Sequence, residues 1–434
     1  VSAPPQPPPP DRYGPSEGPD AADSPTARGG GADDAPGAPD GRESGWAPPP
    51  RPLDIRTLIA LAALHHIAYA AVRVLLTLGA LHVNATPLQV GLVVSLFALL
   101  PMFGSIPGGR WVDRIGPRLP MQLGIATVLS GLLVSVVWLS VESLMVTSVL
   151  VGIGYLPFHL AIQKMVSLIG TAETRRHNLS LMAIGYSVAT FLGPIVAGFL
   201  IDGVGYRVPF AVLAVLPLGV LLWVRRLGDR LPGEGMAAPV AAQSLRIRDL
   251  LATGELRRVY LVVALLSAAW DIHQFAVPLY GARLGLSASA IGLILGAYAL
   301  ATLVVRMLLP LFLTDISEWR ALLAAMLVAT AVYAAYPFFS SLEALLALSF
   351  VLGLGLGVSQ PMSMSAIARV APADRLGEAT GLRMMLVYGT QTALPTMFGA
   401  LGGLIGIGGL FWGMAALLGG GLAGVLRGHR RRER

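Results

Sequence analysis

Residues 88–107 read LQVGLVVSLFALLPMFGSIP, residues 108–118 read GGRWVDRIGPR, and residues 119–139 read LPMQLGIATVLSGLLVSVVWL. Each flank is an uncharged apolar stretch of about 20 residues, enough for a helix to cross a hydrocarbon layer of about 30 Å. Lipid offers no hydrogen-bonding partner to the backbone, so both flanks must be helical. Arg110, Asp113, Arg114 and Arg118 then crowd into one short surface turn, with Gly109 and Gly116 allowing a tight reversal.

The same alternation continues outward through the chain. Of 434 residues, 55% are hydrophobic and only 13% charged, at a mean hydropathy of +0.69. A soluble domain has about 25% charged residues, and a single water-soluble core cannot hide this much apolar surface. Twelve spans are expected near 56–80, 88–107, 119–139, 143–169, 180–201, 209–224, 259–281, 289–313, 321–339, 344–368, 380–403 and 409–426. The chain contains no cysteine, which removes disulfides, thiolate metal sites and cysteine nucleophiles together.

The net charge of +7 is a topology signal, not a nucleic-acid patch. Loops on one side of the expected bundle carry fifteen arginines, among them Arg114, Arg118, Arg176, Arg226, Arg258 and Arg320, against Arg207 and Arg283 on the other. The positive-inside rule places the arginine-rich side and both termini in the cytoplasm. Residues 1–52 hold eight acids, many prolines and almost no aliphatic side chains, a composition that predicts a disordered tail. They fit neither a signal nor a transit peptide. The near absence of lysine suggests a GC-rich bacterial gene, with a start site at the opening Val or further downstream. The expected organisation is a tail (1–52), a six-helix bundle (53–226), a cytoplasmic connection (227–256), a second six-helix bundle (257–426) and a basic end (427–434).

A shift of 201 positions lays the second half on the first. Gly91 meets Gly292, Ser148 meets Ser349, Gly152 and Gly154 meet Gly353 and Gly355, Pro194 meets Pro395, Gly198 meets Gly399, Gly205 meets Gly406, and Phe210 meets Phe411. Two parallel six-helix halves predict an all-α integral membrane protein of two pseudo-symmetric bundles, with a site at the midplane between them.

With these features in view, Gly109, Asp113, Arg114, Gly116 and Arg118 resemble the G-x-x-x-D-R-x-G-R-R/K loop of the major facilitator superfamily, departing at Pro117. The resemblance implies that Asp113 latches one conformation by bonding the start of the eleventh span, where a carboxylate suits a helix N-terminus. Gly193, Pro194 and Gly198 resemble the fifth-span motif that the family associates with bacterial drug and metabolite antiporters, with Ala189 and Ala197 in place of glycine. In the fourth span, Ser148 stands where the family carries an arginine linked to proton coupling. Coupling, if present, must use other residues.

Ionisable groups within a span cost about 2.5–3.5 kcal/mol on insertion scales and are functional candidates for that reason. The resemblance implies that spans one, four, seven and ten line the cavity. Span one offers His65, His66, Tyr69 and Arg73; span seven offers Trp270, Asp271, His273 and Gln274. Asp271 is the only acid expected inside a span, and the repeat puts it opposite Ala70, about 4.5 Å in depth from Arg73. Either Arg73 and Asp271 face each other and exchange a proton during transport, or they form a static buried pair. His65 and His66 are either proton relays or bonded to backbone carbonyls. His159 and Gln163 on span four, with Gln360 and Ser363 on span ten, are expected to bond a substrate. Arg306 and Arg383 lie near the arginine-rich ends of their spans and read as either gates or anchors. Nothing in the sequence has metal-ligand spacing, a phosphate loop or a nucleophile elbow. No metal, cofactor or nucleic acid is therefore expected, and the partners are a small-molecule substrate, protons and lipid.

These features predict a monomeric, non-enzymatic, proton-coupled exporter of a small amphipathic or organic compound in the bacterial inner membrane. The rivals are proton-symport uptake of a metabolite, with Arg73 or His159 gripping an anion, and a non-transporting sensor or scaffold.

Overall fold

A computed structural model describes residues 54–168, 172–228, 231, 254–312, 317–372 and 375–430. The expected tail, most of the 227–256 connection and residues 431–434 lie outside the described residues.

The first half is built of α1 (Ile55–His82), α2 (Pro87–Ile115), α3 (Arg118–Val137), α4 (Val141–Leu168), α5 (Ala172–Val204) and α6 (Val208–Leu227). The second contains α7 (Gly254–Arg283), α8 (Ala288–Phe312), α9 (Glu318–Ala335), α10 (Leu342–Gly357), α11 (Ser359–Val370) and α12 (Leu376–Arg430). Every expected span falls on these helices to within a few residues, the tenth on two of them. Gly406, at φ +74°, breaks α12 into two passes, so the eleventh and twelfth spans are its two arms. The tenth span is split into α10 and α11 at Val358. Pro361 has no N–H to return to the preceding turn, and the Ser359 hydroxyl bonds the Leu356 carbonyl at the break.

Local chemistry sets the helix ends. Asp54 caps α1, Thr86 and Gln89 form a reciprocal capping box at α2, and Ser317 and Ser341 cap α9 and α10. Such caps satisfy backbone donors that have no partner within the helix. Among the helices that overrun their expected spans, α2 and α5 do so furthest: α2 continues to Ile115 and α5 begins at Ala172. Gly109 is therefore helical rather than part of the turn, and Gly116 alone supplies the positive φ, +77°.

The repeat is conformational as well as sequential. Asn84 (φ +57°) and Gly285 (φ +75°) end α1 and α7 in the left-handed region. Around them, Ala85 N–H bonds the Ala80 carbonyl and Leu286 N–H bonds the Gly281 carbonyl. These are the same six-to-one helix terminations, 201 residues apart.

Close helix crossings follow the same symmetry. A Cβ on Gly91 in α2 would run into the carbonyl of Pro395 in the first arm of α12, and one on Gly292 in α8 would run into that of Pro194 in α5. Gly198 meets the Ala288 carbonyl, and Gly399 meets that of Pro87. Each pair maps onto the other when the halves are exchanged. All four crossings lie toward the arginine-poor end, where small residues let the helices of opposite halves touch backbone to backbone. Asp202 on α5 adds a polar clasp there, accepting bonds from the N–H groups of Ala288 (3.0 Å) and Ser289 (2.8 Å) at the start of α8. Ser95 and Thr396 join α2 to α12 through their hydroxyls at 2.7 Å.

Candidate functional site between the halves

Helices α1 and α7 bring Arg73 and Asp271 together across the interface between the halves. Arg73 Nη2 lies 3.7 Å from Asp271 Oδ1, and the two side chains are 20% and 1% exposed. The Thr390 hydroxyl, from the first arm of α12, donates to Asp271 Oδ2 at 2.9 Å. Asp271 Oδ1 and Arg73 Nε have no hydrogen-bond partner among the described residues. The pair is attracted but open: at 3.7 Å the charges are separated beyond hydrogen-bonding distance, and one carboxylate oxygen is left without a donor.

Asp271 also lines a cavity of about 190 Å³ in the second half, together with Trp270, Arg306, Gln360, Ser363, Arg383 and Gln391. The break between α10 and α11 presents Gln360 and Ser363 to it. Arg306 donates to Gln360 Oε1 at 2.8 Å and reaches Ser187 of the first half at 3.3 Å. Its guanidinium carbon sits 5.9 Å from the Trp270 ring centre, within range of a cation–π attraction. Arg383 donates to Ser363 at 3.2 Å. Apolar side chains, Val263, Leu266 and Val387 among them, complete the wall.

The first half contributes a hydrogen-bonded cluster of histidines and tyrosines. His66 bonds Tyr155 through Nδ1 (2.7 Å) and Thr190 through Nε2 (3.1 Å). His159 Nδ1 meets the hydroxyls of Tyr155 (3.2 Å) and Tyr186 (3.0 Å), while its Nε2 meets Gln163 at 3.0 Å. Tyr69 stacks on Tyr155 with ring centres 3.7 Å apart. Each histidine is bonded through both ring nitrogens, which fixes its orientation and makes its tautomer depend on its neighbours.

Other sequence candidates lie elsewhere. His65 packs against Phe158, and neither ring nitrogen has a hydrogen-bond partner among the described residues. His273 is fully buried, bonding Ser349 at 3.0 Å and stacking on Tyr298, away from the cavity. Gln274 is half-buried and outside the cavity lining. Asp113, expected at the start of the eleventh span, instead pairs with Lys164 of α4 at 2.7 Å, so its carboxylate is engaged within its own half. Arg114 and Arg118 are exposed at the same end. In the fifth-span motif, a Cβ on Gly193 would fall 2.6 Å from Ala70 Cβ of α1. Gly193 thus fits α5 to α1, while Pro194 and Gly198 fit it to α8.

Sequence reasoning did not select Thr390, Gln391 or Tyr186. A signal existed for Gln391: Arg383, Val387 and Gln391 recur every four residues along one face of the eleventh span.

Two helical halves joined by a buried ion pair, one of them holding a polar cavity inside an apolar bundle, fit a membrane carrier. Residues 58–389 and 259–434 match the Major Facilitator Superfamily, and the chain belongs to that family. It is a multi-pass membrane transporter rather than an enzyme. A 138-residue segment is 30% identical to "Multidrug resistance protein 1" of Bacillus subtilis (strain 168), covering 32% of this chain and 35% of that protein. A 191-residue segment is 24% identical to a "Probable sugar efflux transporter" of Pasteurella multocida (strain Pm70), covering 44% and 46% respectively. The matched segments span less than half the length of these relatives. Among solved structures, a POT family transporter in complex with a thioalcohol-conjugated peptide superposes with a TM-score of 0.73 at 14% identity, over 87% of this chain and 96% of that one. A mutant of the nucleoside transporter NupG gives 0.73 at 12% identity, over 86% and 99%. At these identities the likeness establishes the fold alone.

Proposed function

We propose that this transporter is a proton-coupled exporter of small organic compounds in the bacterial cytoplasmic membrane, working by alternating access with its termini in the cytoplasm. The observation that carries the proposal is the open Arg73–Asp271 pair, placed where α1 and α7 meet across the two halves. A proton on Asp271 cancels its attraction for Arg73 and loosens the tie between the halves; its release restores the tie. The proton thereby gains leverage over the rocking motion, not merely over local packing.

The orientation fits the loading step of an exporter and equally the release step of an importer. With the arginine-rich end in the cytoplasm, the four glycine crossings and the Asp202 clasp seal the outer side. The cavity then belongs to the inward-facing state. The names of the curated relatives, multidrug resistance and sugar efflux, point to export. An inward-moving proton would gain about 2.3 kcal/mol per 100 mV of membrane potential.

The test is growth of a pump-deficient bacterial host across a broad panel of toxic compounds, with Asp271→Asn beside the wild type at matched membrane levels. Protection by the wild type alone is expected. Equal protection by both chains would remove Asp271 from coupling. Accumulation of a compound by intact cells, in place of exclusion, would reverse the direction.

A further inference from the structure

We infer that the transported compound is an organic anion whose carboxylate, or equivalent oxyanion, is gripped by Arg306 and Arg383. The inference rests on the transporter reading of the same cavity and names its substrate class. Arg306, on α8, has only neutral partners among the described residues: Gln360, Ser187 and the face of Trp270. Arg383, on the first arm of α12, is 5% exposed and bonds Ser363, with the Met384 sulfur 3.9 Å away. Neither forms an ion pair among the described residues. The one carboxylate in the cavity wall, Asp271, is engaged by Arg73 and Thr390.

Arg73, Arg306 and Arg383 therefore share a single carboxylate, and the two that face this small cavity lack a counter-charge of their own among the described residues. Arg383 is buried and Arg306 half-buried, and charges withdrawn from water are normally paired, because removing an ion from water is costly unless an opposite charge and hydrogen bonds replace the lost hydration. Arginine is always protonated and cannot escape the cost by neutralising. Hydroxyl and amide partners orient these two groups but do not cancel their charge. A bound carboxylate, phosphonate or sulfonate would supply it, and the planar fork of a guanidinium suits such groups.

The remaining wall fits the rest of such a molecule. Trp270 offers an aromatic plane beside Arg306, and Val263, Leu266 and Val387 offer apolar contact. A cationic amphiphile would meet two like charges. Position also matters: α8 and the first arm of α12 are the helices of this half that cross α5 and α2 at the seal. An anion drawing Arg306 and Arg383 together would pull on both gating pairs at once, and Arg306 already spans the halves through Ser187.

Thermal unfolding of the purified full chain in detergent tests this directly. Benzoate, phenylphosphonate and benzenesulfonate are compared with benzamide and benzylammonium. At least one anion should raise the unfolding temperature in a saturable manner where benzamide and benzylammonium do not. Arg306→Gln and Arg383→Gln should each weaken its binding roughly tenfold or more, as expected for losing a charge-assisted bond. Arg383→Lys, which keeps the charge, should recover part of it. Stabilisation by benzylammonium or benzamide matching that of the anions would overturn the inference, as would an unchanged anion response in folded glutamine variants. A wild type that responds to none of the three anions would overturn it too. Binding is read at equilibrium without a gradient, so its failure is separable from failure of proton coupling. Asp271-dependent export of neutral or cationic compounds would leave the proposed function standing and remove this substrate class.

Discussion

Gly292→Ala should open the seal at the arginine-poor end. A Cβ at this position of α8 would lie 3.1 Å from the Pro194 carbonyl carbon and 3.4 Å from Ile195 Cα, with the Pro194 oxygen nearer still. Carbon atoms pack best at about 3.5–4.0 Å, so α5 and α8 must part by about 1 Å. The obstacle is backbone, which cannot rotate away as a side chain would. Overpacking of this kind costs about 1–3 kcal/mol, borne only by the sealed state, because the helices separate when the seal opens. A differential of that size shifts a two-state equilibrium by about 5- to 150-fold. The chain has no native cysteine, so spin labels at Val204→Cys and Leu404→Cys, both exposed at this end, report the separation of the halves. The distance distribution should gain a longer component in Gly292→Ala. Gly91→Ala, its partner under the 201-residue repeat, should behave alike. Gly109→Ala, with nothing within 4 Å of the added carbon, should leave the distribution unchanged. An unaltered distribution in folded Gly292→Ala and Gly91→Ala would refute the assignment of these crossings as the gate.

Three further outcomes follow from particular contacts. Asp202→Ala removes the clasp on the start of α8, and a lost cap of this type costs about 1 kcal/mol; the same labels should show a smaller shift toward separation than Gly292→Ala gives. Arg73→Gln and Asp271→Asn should each lower proton-driven transport at least tenfold, about 1.4 kcal/mol, and the double variant should be no worse than either, since one pair is broken in every case; losses that multiply would show that they act separately. Asp113→Asn should slow turnover while leaving ligand affinity within about twofold of wild type, because Asp113 pairs with Lys164 outside the cavity. A matching loss of affinity would place it at the ligand.

Much of this architecture is legible in the sequence because lipid leaves few alternatives. The spans follow from hydropathy, and the 201-residue repeat identifies the glycines and prolines at which helices of opposite halves meet. The depth of Asp271 relative to Arg73 also follows from the repeat. What sequence gave poorly was direction around a helix. His273 lies two residues beyond Asp271, about 200° around the axis, and so turns into the packing against Ser349 and Tyr298. His65 and His66 part company for the same reason. Arg306 and Arg383 were located by depth alone, as gates or anchors, whereas their faces turn them into the cavity. The break at Val358, which presents Gln360 and Ser363, left only Pro361 as its trace. The partner of Asp113, Lys164, lies 51 residues away on α4, a separation that no local pattern encodes.

The central claim is that movement of the compound and movement of a proton are one event, tied through Asp271. Its most direct test is internal pH in liposomes containing the purified chain, recorded as an outward gradient of an exported compound is imposed with no initial pH difference. The account predicts proton entry driven by the compound, absent in Asp271→Asn liposomes of equal protein content. Movement of the compound down its gradient with no change of internal pH in the wild type would contradict it.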